Sequence, residues 1–434
     1  MQILTCASTG QSISLIKQTA KSGEGEVWQT NLKGYLAKIY YATRPERIRK
    51  LEIMVAYPPK DPNSHMNHIS FAWPKSLLKD SGGHYVGFLM PAIANSVQLL
   101  DVYNPQRRQK ILPGFNWLYL HVTAMNIASI IQAIHAKGYV LGDIKPENIL
   151  VNNQALPAVI DTDSFQIRDP KMAEVYRCPV GSEGFTPAEL LGQDLATIEQ
   201  TEIHDRFRLA VIIHLLLFGD QPFKGKWVGV GESPEPNELL RQGLWPCAPS
   251  SLIQSGPLTI SLDTVHPEMR RCFLQCFNDG YKTPALRPTA EEWVRALRAG
   301  VAELKVCQQV NQHYYSQAYG RCYWCDRKAA LGVDIFPTVP TLANQMQTKV
   351  TQHAEIAIQT IRSRIKNIAL PNLQINWRRL GIITGVVTSL LATLVLLDKS
   401  ATNSDDAGLT IVGLLLFFGL VVGCFVWIRT TKKT

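Results

Sequence analysis

The run Leu141-Gly142-Asp143-Ile144-Lys145-Pro146-Glu147-Asn148-Ile149-Leu150 puts an Asp, a Lys two residues on and an Asn five residues on in one short stretch. Such a trio can converge on a phosphoryl-transfer centre. The carboxylate orients a hydroxyl and accepts its proton, the ammonium offsets charge on the moving phosphoryl, and the amide holds a metal. Downstream, Ala158-Val159-Ile160-Asp161-Thr162-Asp163-Ser164-Phe165 ends an apolar strand in carboxylates. Asp163 is read there as a ligand of Mg2+ against phosphates.

Together the two runs resemble the eukaryotic-like (Hanks-type) serine/threonine protein kinase family, in its bacterial subgroup with a Cys-rich tail after the kinase domain. The resemblance implies a two-lobed α+β fold, ATP with Mg2+, and a protein substrate. Its residues carry over one by one: Asp143 as base, Lys145 as charge stabiliser, Asn148 and Asp163 as Mg2+ ligands. Upstream, Ser22-Gly23-Glu24-Gly25-Glu26-Val27-Trp28 is similar to the glycine-rich turn between the family's first two strands, which assigns Gly23, Gly25 and Val27 to nucleotide binding. Without Cβ atoms such backbone can approach phosphates closely. Leu36-Ala37-Lys38-Ile39 resembles the strand whose lysine grips the α- and β-phosphates.

Gly181-Ser182-Glu183-Gly184-Phe185-Thr186-Pro187-Ala188-Glu189 resembles the family's segment ending in Ala-Pro-Glu, with that order swapped. The resemblance implies a buried ion pair between Glu189 and Arg287, and a helix Asp, Asp205, that pins the catalytic loop. These matches run in order over about residues 12–300. Departures bear on activity. Leu141 and Gly142 stand where the family often has His and Arg, so the basic pocket for a phosphorylated activation segment is missing. Ser164-Phe165 replaces Phe-Gly. No Glu falls at the expected offset in the helix after Lys38: Arg49 is near it, with Glu46 and Glu52 one turn away on either side as alternative partners. Tyr176, Ser182 and Thr186 are candidate autophosphorylation sites. The rival reading is a pseudokinase or nucleotide-binding scaffold; the joint presence of Lys38, Asp143, Lys145, Asn148 and Asp163 favours catalysis.

A second constellation is Cys307-x5-His313-x8-Cys322-x2-Cys325. Four soft or borderline ligands in so short a stretch suit tetrahedral Zn2+ in a zinc-ribbon or knuckle-like module, which a small segment needs as a staple. With four protein ligands the site would be structural. The alternative is two unrelated buried cysteines beside an exposed pair. Cys178, Cys247, Cys272, Cys276 and Cys424 stand singly in apolar surroundings and read as small buried hydrophobes.

Several elements must position these residues. The chain has 434 residues, 46% hydrophobic and 18% charged, which excludes a disordered or low-complexity chain. Residues 1–95 alternate apolar and polar side chains and are expected to form a strand-rich lobe. Residues 96–303 are expected to form a helical lobe, with helices near Asn116–His135, His204–Phe218 and Glu291–Leu304. The metal module is expected at 304–330.

The net charge of +9 at first suggests nucleic acid, but much of the excess flanks two apolar runs, so no nucleic-acid partner is expected. Those runs, 380–397 and 409–428, carry no charge and are long enough to cross a core of ~30 Å as helices. Basic residues lie outside the pair and an acidic loop between them. The positive-inside rule then predicts a two-helix transmembrane hairpin with residues 1–379 and the tail cytoplasmic. No cleavable signal peptide is read at the start of the chain. In the linker 341–379, Val350, Ala354, Ile358, Ile361, Ile365 and Ile368 recur at spacings of four and three. This fits equally a seam joining two copies as a homodimer and an amphipathic helix lying on an anionic lipid bilayer.

Overall fold

The computed structural model describes residues 2–338; the linker and the two apolar runs lie outside the described residues. Alternating side chains fold the start of the chain into strands β1 (Ile3–Cys6), β2 (Ser12–Lys21), β3 (Gly25–Thr30), β4 (Tyr35–Tyr40), β5 (Ser76–Lys79) and β6 (Tyr85–Pro91). They close into an antiparallel barrel in the order β1-β2-β3-β4-β6-β5, with β5 returning to β1. Inward-facing Leu4, Ile13, Leu15, Ala37, Leu78 and Leu89 fill it. Helix α1 (Pro45–Ala56) starts at a proline, which suits a first helical turn, and buries Leu51, Ile53 and Met54.

The rest is mainly helical. After the short strand β7 (Ser96–Gln98) come α2 (Leu99–Tyr103), α3 (Pro105–Ile111) and α4 (Trp117–His135). Asn116 caps α4 by accepting from the Leu118 and Tyr119 amides. Strand β8 (Ile149–Asn152) pairs with β7 on one side and β9 (Pro157–Val159) on the other in a small antiparallel sheet. Helix α5 (Glu202–Phe218) is apolar nearly all round and buried, and ends at Gly219, whose φ of 77° suits glycine. The helix Ala290–Glu303 opens with a reciprocal capping box between Thr289 and Glu292 and packs along α4. A barrel lobe and a helical lobe are thus joined by the segments that carry the chemistry, as expected of a kinase fold.

Two details differ from the sequence reading. An extra strand, β1, precedes the expected first strand, so the glycine turn joins β2 to β3. The Cys-rich tail is part of the helical lobe's core: Trp324 is buried with its ring 4.9 Å from that of Trp117 and 4.7 Å from that of Phe336.

Candidate active site

Antiparallel pairing explains how the catalytic run and the carboxylate run meet. Ile149 is registered opposite Val159, and the Ile160 amide donates to the Asn148 carbonyl at 2.9 Å. Asn148 and Asp161 therefore emerge side by side at the ends of neighbouring strands. Asn148 donates its side-chain amide to the Asp143 carbonyl at 3.3 Å, which leaves its amide oxygen for a cation.

Asp143 is buried, and each carboxylate oxygen has one partner. Ser182 donates its hydroxyl to Oδ1 at 2.7 Å, and Lys145 Nζ lies 2.7 Å from Oδ2. Burial alone would lower the Lys145 pKa, but its hydrogen bond and ion pair with Asp143 hold it above its ordinary value. Ser182 is therefore a partner of Asp143, the expected base, as well as a candidate phosphosite. Sequence reasoning missed this contact because 39 residues separate the two.

The loop behind Asp143 is pinned from below. Asp205 on α5 accepts from the Leu141 amide at 2.7 Å and the Gly142 amide at 3.0 Å, and lies 3.1 Å from His135 Nε2. Its burial would raise its pKa, but His135, Arg208 and the backbone amides hold it low. Glu189 makes the expected pair with Arg287, through oxygens at 2.6 and 2.9 Å from the two guanidinium nitrogens.

Lys38 reaches the same cleft from β4, but neither Glu46 nor Glu52 is its partner. Its Nζ lies 2.7 Å from Asp161 Oδ1 and 2.7 Å from Asp163 Oδ2. Burial pushes the Lys38 pKa down, and Asp163 followed by Asp161 reverse this and hold it high. Glu52 lies 3.6 Å from Arg49, while Glu46 is exposed. Arg49, which sits where a Glu was expected, reaches Asp169 at 3.3 Å. Lys50 is buried and donates to the Asp163 carbonyl at 2.7 Å; its burial lowers its pKa to about 8.

The glycine turn also reads differently in three dimensions. Gly23 is at its exposed tip. Gly25 lies within β3, where a Cβ would meet the Ile39 carbonyl oxygen at 2.3 Å. Close strand packing by itself requires glycine at 25. Val27, also on β3, is half-buried and registered opposite Lys38.

The second constellation converges as well. One ligand atom each from Cys307, His313, Cys322 and Cys325 fall within 4.8 Å of one another. His313 Nδ1 is 3.5 Å from Cys325 Sγ and 3.6 Å from Cys322 Sγ, and Cys307 Sγ is 3.5 Å from Cys325 Sγ. These separations suit one ion bonded at ~2.3 Å to sulfur and ~2.0 Å to nitrogen. The other ring nitrogen of His313 is 3.0 Å from Asp334, the kind of carboxylate contact that orients the imidazole in metal sites. Asp334 lies outside the expected 304–330 module and was not anticipated.

No family model matches the chain. The protein kinase YegI of Escherichia coli K12 is 31% identical over 337 residues, which is 73% of this chain and 49% of that protein. Serine/threonine-protein kinase 16 of Rattus norvegicus is 25% identical over 225 residues, 44% of this chain and 64% of that one. Among solved structures, the ROP18 kinase domain in complex with AMP-PNP and sucrose aligns with a TM-score of 0.46 at 12% identity, over 69% of this chain and 84% of that chain. The chain spans about half the length of the Escherichia coli relatives it matches. With Lys38, Asp143, Lys145, Asn148 and the carboxylates after β9 facing one cleft, the chain is similar to eukaryotic-like (Hanks-type) protein kinases in sequence and in the arrangement of its site.

Proposed function

We propose that this chain is an ATP- and Mg2+-dependent kinase that phosphorylates serine or threonine hydroxyls of proteins. The observation that carries the reading is the Asp143 carboxylate held between Lys145 and Ser182 beside Asn148. Bound Mg2+ supplies charge neutralisation at the phosphates. Asn148 and the carboxylate run after β9 supply oxygen donors that suit a hard cation. Asp143 orients the attacking hydroxyl and takes its proton, and Lys145 stabilises charge developing on the phosphoryl oxygens. Lys38 binds the non-transferred phosphates. Gly23 in the turn and Gly25 and Val27 on β3 bind the nucleotide beside Lys38.

Four further parts belong to the proposal. Residues 1–95 and 96–303 act as the two lobes. Cys307, His313, Cys322 and Cys325 hold a structural Zn2+, which the donor set and the Asp334–His313 contact support. The runs 380–397 and 409–428 anchor the protein as a membrane hairpin with the kinase in the cytoplasm, on the strength of their apolar length and flanking charge. The linker 341–379 joins two copies or lies on anionic lipid.

The test is phosphate transfer from labelled ATP by the full-length protein in detergent, to itself and to a generic basic protein. Wild type should incorporate label on Ser or Thr. Asp143→Asn should lower the rate by about 10²–10⁴-fold, the usual range for a general base. If wild type transfers no more than the variant, yet Mg-ATP raises its melting temperature, the chain is a nucleotide-binding scaffold.

A further inference from the structure

The two carboxylates after β9 are one residue apart, yet their surroundings differ. The Asp161 side chain is 44% exposed, and among the described residues Lys38 is the one side chain bonded to it. Its backbone takes φ 57° and ψ 36°, a left-handed turn that carries it past the strand end beside Asn148. The Asp163 side chain is 6% exposed. It takes Lys38 Nζ on both oxygens, at 2.8 and 2.7 Å, and the Tyr40 hydroxyl on Oδ2 at 2.7 Å. A carboxylate so enclosed has little room for a hydrated cation, which keeps several waters and near-octahedral geometry.

Helix α1 completes the contrast. It offers Lys38 no carboxylate. It presents Arg49 to Asp169 and Lys50 to the Asp163 carbonyl, so the helix is basic where it meets an acidic loop. Resting on the kinase reading above, we infer that Asp163 is a positioning residue, doing from the loop what a helix glutamate would do for Lys38. Lys50 ties α1 to that loop, and Asp161 with Asn148 is left to face Mg2+. The two aspartates thus have separate tasks: one fixes the lysine and the helix, the other meets the ion.

The test is binding of a fluorescent non-hydrolysable ATP analogue to the full-length protein in detergent, titrated with Mg2+ in buffer free of chelator. Wild type should bind the analogue, with Mg2+ tightening it. Asp161→Asn should need about tenfold or more Mg2+ for the tightening. Asp163→Asn should weaken binding both with and without Mg2+ and leave the Mg2+ midpoint unchanged. Should Asp163→Asn fail to fold, Tyr40→Phe and Lys50→Met read the same arm: each should weaken nucleotide binding several-fold at an unchanged Mg2+ midpoint. A raised Mg2+ midpoint in Asp163→Asn, Tyr40→Phe or Lys50→Met, or an unchanged one in Asp161→Asn, would overturn the inference. Wild type that binds no nucleotide overturns the kinase reading itself, and this inference with it.

Discussion

At the scale of residues, paired charges fix the geometry of the cleft, and their loss has a calculable sign. Glu189 lies below its ordinary pKa of 4.5: burial pushes it up, and Arg287 pulls it further down. The unfolded chain therefore takes up more protons than the folded one as pH falls through this range. The pair's contribution is complete above about pH 4.5 and disappears as pH drops through the depressed native value. Glu189→Gln leaves a buried guanidinium without its counter-charge. Because Glu189 keeps 29% side-chain exposure, the cost at neutral pH should fall toward the lower end of about 3–5 kcal/mol. Urea denaturation across pH should show wild type and variant converging as the solution is acidified; a gap constant down to acid pH would contradict this. Glu189, Arg287 and Asp205 were legible in the sequence because each sits in a short local pattern. The partner of Lys38 was not: Asp161 and Asp163 are 123 and 125 residues away, and only the fold brings them together.

At the scale of elements, loops are held where side chains leave no alternative. Gly142 shows this. Its φ is 75°, its amide is tied to Asp205, and a Cβ there would lie 2.6 Å from the Cys178 Cβ. The sequence marked Gly142 as the loss of a basic residue and of the pocket it would build. The structure adds that this backbone and the packed Cys178 side chain exclude even a methyl group without a shift. Gly142→Ala combines left-handed strain with overpacking, and should destabilise the chain by about 1–3 kcal/mol. Because the loop carries Asp143, transfer activity should fall with it. Gly142→Ala with wild-type stability, measured by denaturation midpoint, would show that Cys178 yields freely. Cys178→Ala removes only the Sγ at 2.8 Å and keeps the Cβ at 2.6 Å, so the double variant should recover little of the loss. Patterns of alternation announced the strands that build the barrel. The closing pair β1–β5 was not announced, because barrel closure depends on registers more than seventy residues apart.

At the scale of the whole molecule, the Cys-rich tail is tied to the catalytic lobe by more than its ligands. Trp324 packs on Trp117 of α4 and donates its indole N–H to the Tyr314 carbonyl at 2.5 Å. Arg108 is buried without a carboxylate partner among the described residues. It donates to the carbonyls of Val102, Tyr103 and Ile335 and lies over Phe336 at 4.7 Å, and burial lowers its pKa to about 9. Asn116, the cap of α4, also donates to Gln312 at 3.2 Å. The long helix under the active site and the proposed metal module therefore share one core. A short module bound this way cannot come apart without exposing Trp117 and the start of α4. From this follows a prediction about cooperativity. The purified full chain should carry one zinc per molecule by elemental analysis. Cys325→Ser should lose it and lower the melting temperature of the kinase lobe as a whole, in one transition rather than a separate early one. Trp324→Ala keeps every metal ligand and should still cost about 3–5 kcal/mol, because it empties a large buried site. If Cys325→Ser sheds its metal while the main transition stays in place, the module is only an appendage. A common loss in both variants would mean that the metal stabilises the catalytic lobe from outside the cleft, through one tryptophan seated against α4.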